Sequence, residues 1–189
     1  MQQSRWRYAL AMLWITAVWG STFVISKELI TSLAPLNYLS TRFLLATLLF
    51  LLLFPRTLYT MEREAVRGGV FLGLFLSVGF ITQSAGLLYT TPSKSAYVTG
   101  VAVILVPFLG YLLERVEVTV EHVISVFLAA TGFALLTLPE SNTGVNLGDL
   151  LTFTGTLFWA LHIVYTGIFA RRASTRQLTL IQFVASTCI

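Results

Sequence analysis

The stretch Thr91-Pro92-Ser93-Lys94, continued by the uncharged run Ser95–Leu113 and closed by Glu114-Arg115, decides the fold of this chain. Such a run approaches the roughly 20 apolar residues that a helix needs to cross the hydrocarbon core of a bilayer. Thr91 can cap the helix, and Pro92 suits its first turn. Pro107 cannot donate to the carbonyl of Val103, so we expect a bend there. The stretch therefore predicts a membrane-spanning helix.

This helix has two different faces. At 100° per residue, the small and slightly polar face holds Ser95, Thr99, Ala102, Val106 and Gly110. The bulky face holds Tyr97, Val101, Ile104 and Phe108. Small residues let helices approach closely, so we expect the small face to contact protein or a cavity and the bulky face to contact lipid.

The composition indicates a membrane protein. Of 189 residues, 56% are hydrophobic and 11% are charged, whereas soluble domains have about 25% charged residues. The net charge of +4 comes from basic residues in short loops between apolar runs, so we expect no nucleic acid as a partner. Cys188 alone excludes an intrachain disulfide. We expect no metal, no cofactor and no catalytic residues, because the sequence holds no metal cluster and no Ser/His/acid set at usable spacing.

Five further apolar segments accompany the fourth span. The six predicted spans are Tyr8–Ser26, Pro35–Phe54, Gly68–Thr90, Ser95–Leu113, His122–Leu138 and Asp149–Ala170, and Leu178–Ile189 begins a seventh. With the N-terminus inside, nine of the 12 lysines and arginines lie on the inner side, and only Lys27 and Lys94 lie outside. This bias predicts a cytoplasmic N-terminus and an all-α, polytopic fold. Gly69 and Gly73 of the third span are interpreted as packing residues.

An internal repeat emerges when the chain is shifted by 140 residues against itself. The shift aligns Trp19 with Trp159, Thr16 with Thr156, Val24 with Val164, Phe43 with Phe183, Thr47 with Thr187 and Arg42 with Gln182. Five spans separate the copies, so the second copy enters the membrane from the opposite side. Inverted repeats of this kind are typical of secondary transporters. Residues 1–139 are predicted to form a five-helix repeat, and residues 140–189 an incomplete second repeat.

Several motifs resemble the EamA-type branch of the drug/metabolite transporter superfamily. They are Trp19-Gly20-Ser21-Thr22-Phe23, Arg42-Phe43-Leu44, Thr90-Thr91 through Pro107 with Glu114-Arg115, and Gly148-Asp149-Leu150 leading into Phe158-Trp159-Ala160. The resemblance implies ten helices in two inverted five-helix repeats, about three and a half more than this chain holds. It implies a central cavity walled mainly by the first, third and fourth helices and their repeat mates. It also implies movement of small metabolites, often amino acids, commonly outward.

Five side chains inside the spans are candidates for substrate binding: Trp19, Gln83, Ser95, Thr99 and Trp159. The two indoles lie away from the interfacial belt where Trp usually sits, and they could stack on a substrate or fill the core. The amide of Gln83 could bind substrate or hydrogen-bond a neighbouring helix. For Ser95 and Thr99, close packing is the alternative to lining a cavity.

Arg42 and Lys94 are the candidate gate or charge contacts. Burying Arg42 costs roughly 2.5–3.5 kcal/mol on insertion scales, so it must face a partner or water. One interpretation is that Arg42 contacts substrate or a gate. The other is that it caps free carbonyls or extends to the interface. We favour the second, because the second helix is not expected to line the cavity. Lys94 could attract anions at the cavity mouth, although an exposed interfacial lysine is favoured. For His162 we favour a hydrogen-bonded structural role over proton transfer.

These observations predict a multi-pass inner-membrane transporter that exports small metabolites such as amino acids by alternating access. Its expected partners are the lipid bilayer and a small-molecule substrate, and a homodimer is left open. The alternative is a truncated, non-transporting membrane protein or a packing subunit. The coding sequence beyond residue 189 would discriminate between them, because three more spans there support the transporter.

Overall fold

The computed structural model describes residues 2–59, 61–115, 117–137 and 145–188, and these residues are mainly helical. Within these ranges the α-helices are α1 (Gln2–Ser32), α2 (Pro35–Leu53), α3 (Arg63–Leu87), α4 (Pro92–Gly100), α5 (Ala102–Glu114), α6 (Val120–Thr137), α7 (Leu147–Ala170) and α8 (Thr175–Thr187). A short 3-10 turn, Pro55–Leu58, follows α2. The described residues contain no strand. The predicted all-α fold is therefore confirmed.

Five segments are long and apolar enough to cross a membrane. They are Trp6–Ser32, Pro35–Leu53, Arg63–Leu87, Pro92–Glu114 and Leu147–Ala170. Large apolar side chains cover their outer surfaces, and Trp14 and Leu52 are 72% and 78% exposed. Such a surface suits lipid and would be costly in water. The chain is therefore a multi-pass membrane protein, in which α4 and α5 together form one span, hereafter the α4/α5 span.

Ion pairs tie the α4/α5 span to α7 at both ends. Lys94, at the start of the span, pairs with Asp149 at the start of α7. Glu114, at the end of the span, pairs with Arg171 directly after α7. The two spans therefore run parallel, and the chain between them must return across the membrane once. Helix α6 lies there, and its 18 residues measure about 27 Å. This agrees with the predicted fifth span.

Helix α3 lies at the centre and packs against α7 and α8. Glycines allow the close approach to α7, because a Cβ at Gly86 would lie 2.6 Å from the carbonyl oxygen of Gly148. One at Gly155 would lie 2.8 Å from the carbonyl oxygen of Gly79. Gly86 near the end of α3 lies beside Gly148 at the start of α7, and the earlier Gly79 lies beside the later Gly155. The two helices are therefore antiparallel. Gly73 contacts α8, where a Cβ would lie 2.7 Å from that of Ala185. The interpretation of the α3 glycines as packing residues is confirmed.

Residues separated by 140 positions contact each other near the centre. The rings of Phe43 and Phe183 have centroids 6.3 Å apart. The hydroxyls of Thr47 and Thr187 lie 3.5 Å apart. Phe43 also belongs to the buried cluster formed by Leu39, Phe43, Leu76 and Phe80. Equivalent residues touch where a two-fold axis passes between two copies, so these contacts support the predicted repeat.

The helix boundaries differ from the predicted spans at several points. Helix α1 continues past Ser26 to Ser32, and α3 begins at Arg63 and ends at Leu87. The fourth span is interrupted at Val101, with Pro107 inside α5. This break in regular helix follows Gly100, whose lack of a side chain weakens a helix interior. The bend expected at Pro107 stays a prediction. The predicted end of the fifth span at Pro139 lies outside the described residues.

The side chains of the α4/α5 span differ in exposure between its two faces. Ser95, Thr99 and Ala102 are buried against other helices. On the bulky face Phe108 is 61% exposed, while Tyr97 is only half-buried. The small face therefore contacts protein, as expected.

Candidate functional site

An apolar pocket of about 460 Å³ opens between α1, the α4/α5 span and α7. Helix α1 contributes Trp19 and Phe23, the α4/α5 span contributes Thr99 and Pro107, and α7 contributes Ile163. Small-molecule sites are usually concave, of several hundred Å³, and mostly apolar with few polar groups. This apolar pocket has the size and composition to hold a small amphipathic molecule.

Trp19 and Trp159 lie beside each other at the back of the apolar pocket. Their ring centroids are 5.5 Å apart with the planes inclined by 42°. Only Trp19 lines the pocket. Trp159 contacts Phe80 at 4.6 Å and packs over Gly79, where a Cβ would lie 3.0 Å from the indole ring. The structure thus brings the two predicted indoles together, with Trp159 supporting Trp19 from behind.

A row of polar side chains connects α3, α4 and α7. The amide of Gln83 donates a hydrogen bond of 2.8 Å to the hydroxyl of Thr99. Thr99 donates in turn to the carbonyl of Ser95, and the hydroxyl of Ser95 lies 3.4 Å from that of Thr152. Ser95 is fully buried in this contact. Gln83 therefore makes the predicted hydrogen bond to a neighbouring helix. Substrate binding by Gln83, Ser95 or Thr99 stays a prediction.

Arg42 lies in a narrow cleft between α1, α2 and α3, hereafter the Arg42 cleft, which Trp19 and Gln83 also line. The guanidinium is 4.7 Å from the centroid of the Phe80 ring. It is also 3.4 Å from the hydroxyl of Tyr38. No ion pair to Arg42 occurs among the described residues. The sequence did not place α2 near the cavity, whereas Arg42 faces the same α1 residue, Trp19, that lines the apolar pocket.

Lys94 is not the exposed interfacial lysine that we favoured. Its side chain is 13% exposed, and its ammonium lies 2.9 Å from a carboxylate oxygen of Asp149. The other carboxylate oxygen accepts a hydrogen bond of 2.6 Å from Thr90. Asp149 also completes a capping box with Asn146 at the start of α7. The anion that Lys94 attracts is thus part of this chain. A gating role for Lys94 stays a prediction.

His162 has the hydrogen-bonded environment that we favoured. Its Nε2 atom lies 2.8 Å from the side-chain oxygen of Gln182, which belongs to α8. Gln182 is the residue that aligns with Arg42 under the internal repeat. The histidine therefore joins α7 to α8 beside the repeat-related position of Arg42.

The sequence did not predict the contacts that Lys27 and Tyr38 make with other helices. Lys27 bonds the carbonyls of Leu87, Leu88 and Thr90 at the end of α3, since cations suit helix C-termini. The hydroxyl of Tyr38 lies 2.7 Å from that of Ser26 and connects Arg42 to α1. Because a cation is favourable at a helix C-terminus, the sequence could have suggested that Lys27 bonds the end of a neighbouring helix. No sequence signal gives the register between α1, α2 and α3 that brings Tyr38 to Ser26.

The fold and the pocket define a polytopic, all-helical membrane protein with a small-molecule pocket between its spans. Residues 6–138 match the EamA-like transporter family. Because this match covers most of the chain, the protein belongs to that family. No solved structure matches the chain.

Two curated relatives are similar to this protein. One, described as an uncharacterized transporter of Archaeoglobus fulgidus, is 27% identical over 176 residues, which cover 93% of this chain and 54% of the relative. The other, the uncharacterized transporter YyaM of Bacillus subtilis, is 28% identical over 162 residues, which cover 81% of this chain and 52% of the relative. The chain thus spans about half the length of the curated relatives it matches.

Proposed function

We propose that the protein exports small metabolites such as amino acids across an inner membrane by alternating access. Membership of the EamA-like transporter family supports transport. The single structural observation that carries the proposal is the apolar pocket between α1, the α4/α5 span and α7. It lies between the first five-helix unit and the first helix after it, where inverted-repeat transporters bind their substrates.

The side chains around the apolar pocket support an amphipathic substrate. Trp19 and Phe23 offer apolar and aromatic surface, and Thr99 offers a hydroxyl. Trp19 also lines the Arg42 cleft, where Arg42 could attract a negative group once the narrow cleft widens. An amino acid combines these two features, since it has a carboxylate and a side chain. We propose that Arg42 contacts the carboxylate.

The ion pair between Lys94 and Asp149 has the position of an outer gate. It joins the fourth span to α7 at the end opposite Glu114 and Arg171. The distribution of lysine and arginine supports an outer position for this end and a cytoplasmic N-terminus. An alternating-access cycle would break the pair when the pocket opens outward, so we propose that Lys94 acts in gating.

The test is transport by the full-length protein, as its gene encodes it, reconstituted in liposomes with a panel of labelled amino acids and related metabolites. We expect flux of at least one compound and a loss of about tenfold in Trp19→Ala, Gln83→Ala and Thr99→Leu, since each alters a wall of the apolar pocket or its support. Absence of flux for the whole panel would contradict the transport proposal.

Matched controls separate the pocket from general damage. Trp14 lies on the same helix as Trp19 and is 72% exposed, so Trp14→Ala should leave flux unchanged. Thr154 is exposed and bonds only within its own helix among the contacts described, so Thr154→Ala is the control for the threonine. Membrane levels are compared by quantitative blotting. Wild-type flux in all three pocket variants would contradict the pocket assignment.

A further inference from the structure

A second cleft lies at the opposite end of the molecule from Lys94 and Asp149. It measures about 390 Å³ and is formed where α2 ends and α8 begins. Its polar lining comes from Arg56 and Thr57 of the 3-10 turn and from Ser174, Arg176 and Gln177 at the start of α8. We call it the α8 cleft. It shares no lining residue with the apolar pocket or the Arg42 cleft.

The charge of the α8 cleft is positive. Arg56 and Arg176 are its charged lining residues, and no acidic side chain is among the residues that line it. The guanidinium of Arg176 is held 4.9 Å from the centroid of the Phe54 ring, which restricts its position. The planar guanidinium fork presents parallel N–H donors that match the oxygens of a phosphate. Two guanidinium groups on separate elements can each bond a different oxygen of one phosphate group.

The amino end of α8 adds to this charge. The helix has 13 residues, Ser174 is its N-cap, and the hydroxyl of Ser174 makes no capping hydrogen bond. No acidic residue lies in the first turn. The backbone N–H groups and the dipole of an uncapped helix start favour an anion. The α8 cleft therefore lies where the backbone itself is electropositive.

Thr57 adds a hydroxyl to the lining of the α8 cleft. The residue is only 7% exposed, yet no hydrogen bond joins its hydroxyl to any described residue, and it lines the α8 cleft. The hydroxyl belongs to the lining of the cleft, so it can form a hydrogen bond to a ligand oxygen there. Gln177 holds the neighbouring loop by accepting a hydrogen bond of 3.3 Å from the backbone of Glu62.

We propose that the α8 cleft binds a phosphate group through Arg56, Arg176, Thr57 and the start of α8. The phosphate comes from an anionic lipid headgroup or from a soluble phosphate, because the cleft lies beside the membrane-spanning end of α2. This site is separate from the proposed transport function and does not depend on it.

The test uses the full-length protein in an uncharged detergent and three probes. These are phosphatidylglycerol, phosphatidylcholine with the same acyl chains, and inorganic phosphate. Native mass spectrometry measures lipid binding, and equilibrium dialysis with a radiolabel measures phosphate binding. We expect phosphatidylglycerol to bind more tightly than phosphatidylcholine, whose choline neutralises the phosphate. Binding of phosphatidylglycerol alone identifies a lipid site, and binding of inorganic phosphate identifies a site that soluble phosphates also reach.

Three variants locate the binding. Arg56→Gln combined with Arg176→Gln should weaken it by about tenfold or more, because both charge-assisted donors are lost. Thr57→Val removes only a hydroxyl and should weaken it by about threefold. Arg172→Gln is the matched control, since this exposed arginine lies two residues before Ser174 and does not line the α8 cleft. We expect its binding to equal that of the wild type.

Three results would overturn the proposal. The first is that neither phosphatidylglycerol nor inorganic phosphate binds. The second is that Arg172→Gln weakens binding as much as the double variant does, which would show that general positive charge holds the anion. The third is wild-type binding in Thr57→Val. This variant keeps every charge and nearly the same shape, so it decides the question even where the double arginine variant fails to fold.

Discussion

Lys94 and Asp149 form an ion pair that is largely buried. Their side chains are 13% and 9% exposed, so little water remains to solvate either charge if its partner is removed. Breaking such a pair is much more costly than its net contribution to stability suggests. We predict that Asp149→Asn lowers the free energy of unfolding by about 3 kcal/mol, measured by unfolding in detergent.

The other end of the same two spans offers the control. Glu114 pairs with Arg171, whose side chain is 61% exposed. Exposed pairs contribute about 0–1 kcal/mol, so Glu114→Gln should change stability by less than about 1 kcal/mol. Lys94→Gln combined with Asp149→Asn should destabilise less than the sum of the single changes. Additive effects would show that the two charges do not depend on each other.

Single residues also show what the sequence could supply. The positions of Lys94 and Asp149 at span ends follow from the order of charged and apolar residues. Their pairing does not, because the two residues lie 55 positions apart and their contact depends on the rotation and register of two helices. The same limit applies to Arg42, whose contact with Phe80 joins α2 to α3. The sequence therefore identified the charged residues in and beside the spans, but it did not identify the side chains that they contact.

Glycines at the contact between α3 and α7 determine how closely these two helices approach each other. A Cβ at Gly86 would lie 2.6 Å from the carbonyl oxygen of Gly148 and 2.9 Å from the backbone nitrogen of Thr152. Backbone atoms cannot rotate away as a side chain can, so the helices would have to separate. We predict that Gly86→Ala lowers the free energy of unfolding by about 1–3 kcal/mol, measured by unfolding in detergent.

Gly167 is the matched control for this substitution. It lies on α7, and a Cβ there would have no atom within 4 Å. Alanine favours a helix over glycine by about 1 kcal/mol, so Gly167→Ala should leave stability unchanged or raise it slightly. A similar loss in both variants would mean that the α3–α7 contact is not the cause.

The start of α4 was predicted better than the end of α1. Thr91 caps α4 by accepting from the backbone of Lys94 at 3.2 Å, and Pro92 follows it, as expected. These are local signals between residues three positions apart. The end of α1 is different, because Lys27 and Glu28 do not stop the helix, and Lys27 donates a hydrogen bond to the carbonyl of Leu87 at the end of α3. A charge at a span end can thus be satisfied by another helix.

Three contacts in the molecule as a whole join residues that the predicted repeat makes equivalent. The sequence predicted the pairs by a shift of 140 residues, and it predicted their opposite orientation from the odd number of spans between them. It did not predict that equivalent residues touch. Trp19 and Trp159, Phe43 and Phe183, and Thr47 and Thr187 all lie side by side. Contacts of this kind are expected where an axis that relates two copies passes between them, so they support the predicted repeat.

This arrangement can be tested by a disulfide across the axis. The hydroxyls of Thr47 and Thr187 lie 3.5 Å apart, so cysteines at these positions would bring two sulfurs within reach of a bond. We predict that Thr47→Cys with Thr187→Cys forms a cross-link in isolated membranes after mild oxidation. Cys188 is exposed and is first replaced by serine, so that it cannot compete.

The matched control keeps Thr187→Cys and moves the second cysteine along the same helix. Thr41 lies six positions before Thr47 on α2 and is exposed, so Thr41→Cys should not cross-link. The readout is the loss of alkylation by a mass tag at both cysteines, compared before and after reduction. Equal cross-linking in the two pairs would reflect random collisions. Absence of cross-linking at positions 47 and 187 would contradict the contact between α2 and α8 and, with it, the proposed position of the apolar pocket between two repeats.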